Sequence, residues 1–166
     1  MNTVRIEQAH PQHAAVLLSL VRDLASFEKL EHQVVASEEQ LRQELGAARP
    51  VIEACLAWEG ERAVGFALFF HNFSTFLGRR GLYLEDLYVV PDARRRGVGR
   101  ALISHVASIA VTRGCGRFEW AVLDWNRHAI DFYRSLGAEL LSDWRICRVT
   151  GDALGRLGRT SAAGSA

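Results

Sequence analysis

Leu87-Tyr88-Val89-Val90-Pro91-Asp92-Ala93-Arg94-Arg95-Arg96-Gly97-Val98-Gly99-Arg100 decides the fold. An apolar strand passes through a short loop into an amphipathic helix with two glycines in its first turn. Backbone N–H groups at a helix start have no partner within the helix and form an anion site, which glycines let a phosphate approach closely. Four arginines surround it, so the expected ligand is a cofactor bearing a pyrophosphate. The third glycine of the dinucleotide fingerprint is absent, and no Gly-Lys-Ser/Thr follows.

Downstream lies Ala121-Val122-Leu123-Asp124-Trp125-Asn126-Arg127-His128-Ala129-Ile130-Asp131-Phe132-Tyr133-Arg134-Ser135-Leu136-Gly137-Ala138. Upstream stand Leu82-Tyr83-Leu84-Glu85-Asp86 and Phe27-Glu28-Lys29-Leu30-Glu31. Arg94-x-x-Gly97-x-Gly99 after a strand resembles the acetyl-CoA signature of the GCN5-related N-acetyltransferases. The other segments resemble the diamine acetyltransferase branch of that family, which takes in spermidine/spermine and thialysine enzymes. The likeness spans about residues 3 to 157. It implies an α/β fold of the α+β type: a mixed, mostly antiparallel central sheet flanked by helices, with its middle strands splayed apart.

The resemblance implies acetyl-CoA as cosubstrate and direct acetyl transfer to a primary amine of a small di- or polyamine or a lysine-like amino acid. It places the cofactor against Leu87, Tyr88, Val89, Arg94, Arg95, Arg96, Gly97, Val98, Gly99 and Arg100, and against Trp120, Ala121, Asn126, Ala129 and Phe132. Ala93 and Arg95 replace the aromatic residue and glycine commoner in this loop, a change that leaves backbone donation intact. Asn126 is equally suited to cap the helix that follows it.

Amine acetylation requires loss of the amine proton, polarisation of the thioester carbonyl and protonation of the departing thiolate. Tyr133 lies about two helical turns beyond Asn126, so the two face roughly the same way, and the matching tyrosine is the family's general acid. Glu85 and Asp86 interrupt an apolar strand, and burying carboxylates without partners is costly, so they line a cleft or are ion-paired. Alternation sends them to opposite faces unless a bulge intervenes. The resemblance gives Glu85 a part in amine deprotonation and puts Phe27, Glu28, Glu31, Glu85 and Asp86 at the acceptor. A solvated helix end accounts equally well for Glu28 and Glu31. The loop residues 71–78 lack the acidic residue that the polyamine enzymes carry there, which weakens the case for spermidine in particular.

The 166 residues suffice for one domain, read here as 1–157 followed by a flexible tail, 158–166. A net charge of +1 argues against nucleic-acid or membrane partners. Cys55, Cys115 and Cys147 have neither metal nor disulfide spacing, and no metal is expected. A cytoplasmic protein is the simplest reading, and the resemblance adds a homodimer. A CoA-binding sensor or scaffold without turnover is the alternative; joint retention of Glu85, Asn126 and Tyr133 counts against it.

Along the chain, a strand at Val4–Ile6 precedes a helix from Pro11 to Lys29, and Ser37 with Gln40 opens a second helix through Leu45. Val51–Trp58 and Arg62–Phe70 form a hairpin around Gly60. His71–Gly81 reads as a polar loop, and Leu82–Val90 as the longest and central strand. A helix from Gly97 to Arg113 ends at Gly114. Arg117–Leu123 reads as a strand, a helix follows from Arg127, and residues 138–149 read as a last strand or strand pair.

Overall fold

The computed structural model describes residues 4–162, with side chains through 159. The chain forms two compact units, Met1–Ala121 and Val122–Ala166.

The first unit is built on a five-stranded sheet in the order β1-β2-β3-β4-β5. The strands are β1 (Arg5–Gln8), β2 (Glu53–Glu59), β3 (Arg62–Ser74), β4 (Arg79–Val89) and β5 (Phe118–Trp120). The first four pair antiparallel, and β5 joins β4 in parallel after a helical crossover. The helices are α1 (Ala14–Glu28), α2 (Glu38–Leu45) and α3 (Val98–Thr112). Leu17 of α1, Leu56, Phe66, Phe69, Leu82 and Leu84 of the sheet, and Leu102 and Val106 of α3 are fully buried. The 3.6-residue period of the helices and the near-continuous apolar runs of the inner strands meet in that core.

Local chemistry sets the helix ends. Ser37 accepts from the Gln40 N–H while the Gln40 side chain accepts from the Ser37 N–H, the reciprocal box expected at the start of α2. Gly114 (φ 66°) ends α3 in a left-handed turn. There the Cys115 N–H donates to Ala110 O and the Gly114 N–H to Val111 O.

Three strand expectations are corrected here. His71–Gly81 is not a loop: β3 and β4 pair as far as Ser74 and Arg79, leaving only Thr75–Gly78 as the turn. The polar residues there are bonded across strands. His71 Nδ1 lies 3.1 Å from Gly81 O, and Asn72 Nδ2 donates to Glu119 Oε2 at 3.2 Å. The longest strand is β3, with 13 residues against 11 in β4, and β3 is also the central one. Finally, β5 covers only Phe118–Trp120, because its ladder with β4 stops at Leu84. Beyond Leu84, β4 runs on to Val89 with no β5 partner.

The second unit carries α4 (Arg127–Ser135) and α5 (Gly151–Ala162). Residues 138–149 are irregular, not a strand or strand pair, since no strand is present among the described residues of this unit to complete a ladder. The helix α5 takes in residues 158–162 of the stretch expected as a tail; residues 163–166 lie outside the described residues.

Candidate active site

In the first unit, β4 delivers the chain to the glycine-bearing loop that precedes α3. Pro91–Ala93 make a single 3-10 turn, Arg94 is extended, Arg95 (φ 60°) and Gly97 (φ 87°) are left-handed, and α3 begins at Val98. A left-handed cap at Gly97 is strained for any residue with a Cβ. Glycine there also supplies no side-chain acceptor to the first turn of α3. The helix dipole and N–H groups at this end can therefore meet an anion such as a pyrophosphate.

The loop arginines divide into two pairs. Arg94 Nε donates to Val89 O at 2.8 Å, and its Cζ lies 4.8 Å from the Phe27 ring centroid and 5.6 Å from that of Tyr88. Arg96 pairs with Glu59 and donates to Asp92 O at 3.3 Å. Both guanidinium groups are thus engaged within the protein. Arg95 and Arg100 are exposed and make no ion pair among the described residues, which leaves them disposed for phosphate.

The carboxylates of β4 sit at a bulge. Leu68 faces Asp86 and Phe69 faces Leu84, so Glu85 is the extra residue. Glu85 is exposed, whereas Asp86 is largely out of solvent. Burial, together with the charges of Glu85 and Glu28, pushes Asp86 up to about 7. Glu28, the last residue of α1, is itself raised by burial. No ion pair involves Glu28, Glu85 or Asp86 among the described residues, so the three form an acidic cluster without an internal cation. Glu31 has a different role: its own backbone N–H and the Ser26 hydroxyl, 3.0 Å away, hold its carboxyl below the ordinary range. Phe27, 37% exposed, stands beside Glu28 at the end of α1.

Leu87, Tyr88 and Val89 pair with Ala67, Phe66 and Gly65 on one side, beyond the end of the β5 ladder on the other. A groove of about 460 Å³ is lined by Asp23, Ser26 and Phe27 of α1 and by Tyr88, Val90 and Arg94. Asp23 and Ser26 were not singled out from the sequence, although Asp23 and Phe27 have the i, i+4 spacing that puts both on one helix face. Trp120 packs on Phe118 in β5, with centroids 5.0 Å apart, and Ala121 follows it.

The second unit gathers Asn126, Ala129, Phe132 and Tyr133 on α4. Asn126 Oδ1 accepts from the Ala129 N–H at 3.2 Å, so the capping role is realised. Tyr133 is buried, with its ring 5.4 Å from that of Phe132. Left-handed Gly137 lets the Ala138 N–H bond to Tyr133 O, which explains the Gly-Ala pair closing the motif. Among the described residues, no group of three or more His, Cys, Asp or Glu is placed to hold a metal, and no helix is long and apolar enough to cross a membrane.

A mixed five-stranded sheet whose β4–β5 ladder ends at Leu84, with β4 leading through a left-handed glycine into α3, is the architecture of an acetyltransferase. Residues 18–138 match the acetyltransferase (GNAT) family; the chain belongs to that family and is an acetyltransferase. It is 38% identical over 168 residues to the thialysine N-epsilon-acetyltransferase of Mus musculus, covering 95% of this chain and 98% of that one. It is 50% identical over 90 residues to the L-ornithine N5-acetyltransferase NATA1 of Arabidopsis thaliana, covering 54% of this chain and 40% of that one. An integron cassette protein from the mobile metagenome of V. cholerae superposes with a TM-score of 0.79 at 28% identity, covering 96% of this chain and 99% of that chain.

Proposed function

We propose that this acetyltransferase moves the acetyl group of acetyl-CoA directly to the terminal amine of a small cationic acceptor, an amino acid of the thialysine or lysine type or a di- or polyamine. The observation that carries this reading is the cluster of Glu28, at the end of α1, with Glu85 and Asp86 of β4, which lacks an internal cation among the described residues. Such a cluster attracts an ammonium group and can accept its proton. The relatives named for thialysine N-epsilon and ornithine N5 chemistry support an amino-acid side-chain amine. The lack of an acidic residue in Thr75–Gly78 and the polar strand end before it points away from spermidine.

Bound acetyl-CoA supplies the thioester. The N–H groups at Val98 to Arg100, with Arg95 and Arg100, hold its phosphates, and the β4 edge from Leu87 to Val89, with Trp120, Ala121, Asn126, Ala129 and Phe132, lines its arm. Glu85, exposed at the bulge, and Asp86, whose proton affinity is poised near neutrality, draw the proton from the amine nitrogen. The Tyr133 hydroxyl gives a proton to the departing sulfur. The protein acts as a cytoplasmic homodimer. The exposed side chains of Leu141, Trp144 and Ile146 offer apolar area that a second copy would cover.

Release of CoA thiol from acetyl-CoA across thialysine, lysine, ornithine, putrescine, spermidine and spermine tests the proposal. Turnover confined to the amino acids, or extending to the diamines, establishes amine acetylation and ranks the acceptors. No release with any of them, while calorimetry detects acetyl-CoA binding, overturns it in favour of a CoA-binding protein without turnover.

A further inference from the structure

Arg94 belongs to the phosphate loop by sequence, yet its side chain points to the acceptor end of α1. Its Nε closes back on Val89 O at 2.8 Å, which fixes the stem of the side chain. The guanidinium then lies over Phe27 at 4.8 Å and near Tyr88 at 5.6 Å, within the range of cation–π attraction. No carboxylate pairs with it among the described residues. Phe27 is more than one-third exposed. The helix end beyond it is a costly one: α1 stops at Lys29, a non-glycine residue in the left-handed region (φ 61°). The residue between Phe27 and Lys29 is Glu28, whose charge reaches Asp86.

We propose that the Arg94–Phe27 contact couples the cofactor loop to the acceptor site, with Arg94 acting as a positioning residue for the acceptor. Phosphates seated on the loop hold residues 94–97 in one arrangement. Arg94, held in that arrangement and by Val89 O, holds Phe27, and Phe27 sets where Glu28 presents its carboxylate beside Asp86. Cofactor binding thereby raises affinity for the amine, and by linkage the amine raises affinity for the cofactor. The inference rests on the amine-acetylation reading.

Calorimetric titration of thialysine into the protein, with and without saturating CoA, reads this coupling as a ratio of two affinities. The wild type should bind thialysine about tenfold more tightly with CoA present. Phe27→Leu and Arg94→Met should each bring the ratio below about threefold, and the double variant should lower it no further than the worse single one. Phe27→Tyr, which keeps the ring, should retain the wild-type ratio, and Phe27→Leu should bind CoA alone within about threefold of wild type. A ratio equal in Phe27→Leu and wild type, or a wild type indifferent to CoA, overturns the coupling while amine binding stands. A wild type that binds no thialysine at all overturns the acceptor assignment and the coupling with it.

Discussion

Asp86 of β4 stands opposite Leu68 of β3, and the next β3 residue, Phe69, already faces Leu84. The skipped residue is Glu85, so two adjacent carboxylates occupy different environments, Glu85 exposed and Asp86 more shielded. Burial and the neighbouring charges of Glu85 and Glu28 raise the proton affinity of Asp86.

The more shielded member, Asp86, should make stability depend on pH. Burial, then Glu85 and Glu28, raise Asp86 from 3.8 to about 7. Between those values the folded protein holds a proton that the unfolded chain has released, so stability falls as pH rises through the window and levels off above it. Asp86→Asn removes the cost. Its melting temperature should exceed that of wild type by a margin that grows from pH 4 to 7 and is constant beyond. A margin independent of pH would show that Asp86 is ionised throughout. If Asp86 shares in deprotonation, wild-type kcat/KM should rise with pH around the same value.

Tyr133 is buried on α4 beside Phe132. Tyr133→Phe keeps the ring and removes the proton donor. Turnover should fall about a hundredfold, while CoA affinity by calorimetry stays within about threefold. Unchanged turnover would remove Tyr133 from the acid role.

Asn126 is expected to serve two purposes, and two substitutions separate them. Asn126→Ala loses the acceptor for the Ala129 N–H and should cost about 1 kcal/mol in thermal or denaturant unfolding. Asn126→Asp keeps that acceptor and should unfold like wild type, yet it lacks the amide donor. CoA binding should then weaken about fivefold, the worth of one hydrogen bond. Full CoA affinity in the Asp variant would leave Asn126 as a cap alone.

Gly65 pairs with Val89 under the site strand. A Cβ there would lie 2.6 Å from Tyr88 O, 3.2 Å from Leu102 Cδ1 and 3.3 Å from Val89 Cγ2. The nearest atom is backbone and cannot swing aside. Gly65→Ala should therefore cost about 1–3 kcal/mol, seen as a lower urea midpoint. An unchanged midpoint would mean that β4 shifts freely, which would also loosen the ladder that carries Asp86.

Much of the frame was legible because its signals are local. Ser37 and Gln40 specify a helix start by bonds that span three residues, and Gly114 and Gly137 specify helix ends by a backbone angle that other residues resist. The turn at Gly60, the loop glycines and the helix bearing Tyr133 are of the same kind. His71 and Asn72 misled for the complementary reason. Polar residues in a row suggest a loop, and only partners at Gly81 and Glu119 make them acceptable in strands. Residues 138–149 misled in the opposite sense, since their apolar content suggests a strand but no ladder is present to receive one among the described residues.

The sequence by itself determined the strand–loop–helix turn, the family resemblance and the residue types that acetyl transfer needs, because each resides in a few consecutive residues with defined backbone preferences. Only the tertiary structure decided which of Glu85 and Asp86 is the more shielded, that the charge of Glu28 rather than Glu31 acts on Asp86, and that Arg94 turns from the loop to Phe27. Those outcomes depend on a one-residue bulge between β3 and β4 and on the approach of α1 to β4. Burial, charge coupling and ring stacking are properties of such distances between remote segments, and no local pattern encodes them.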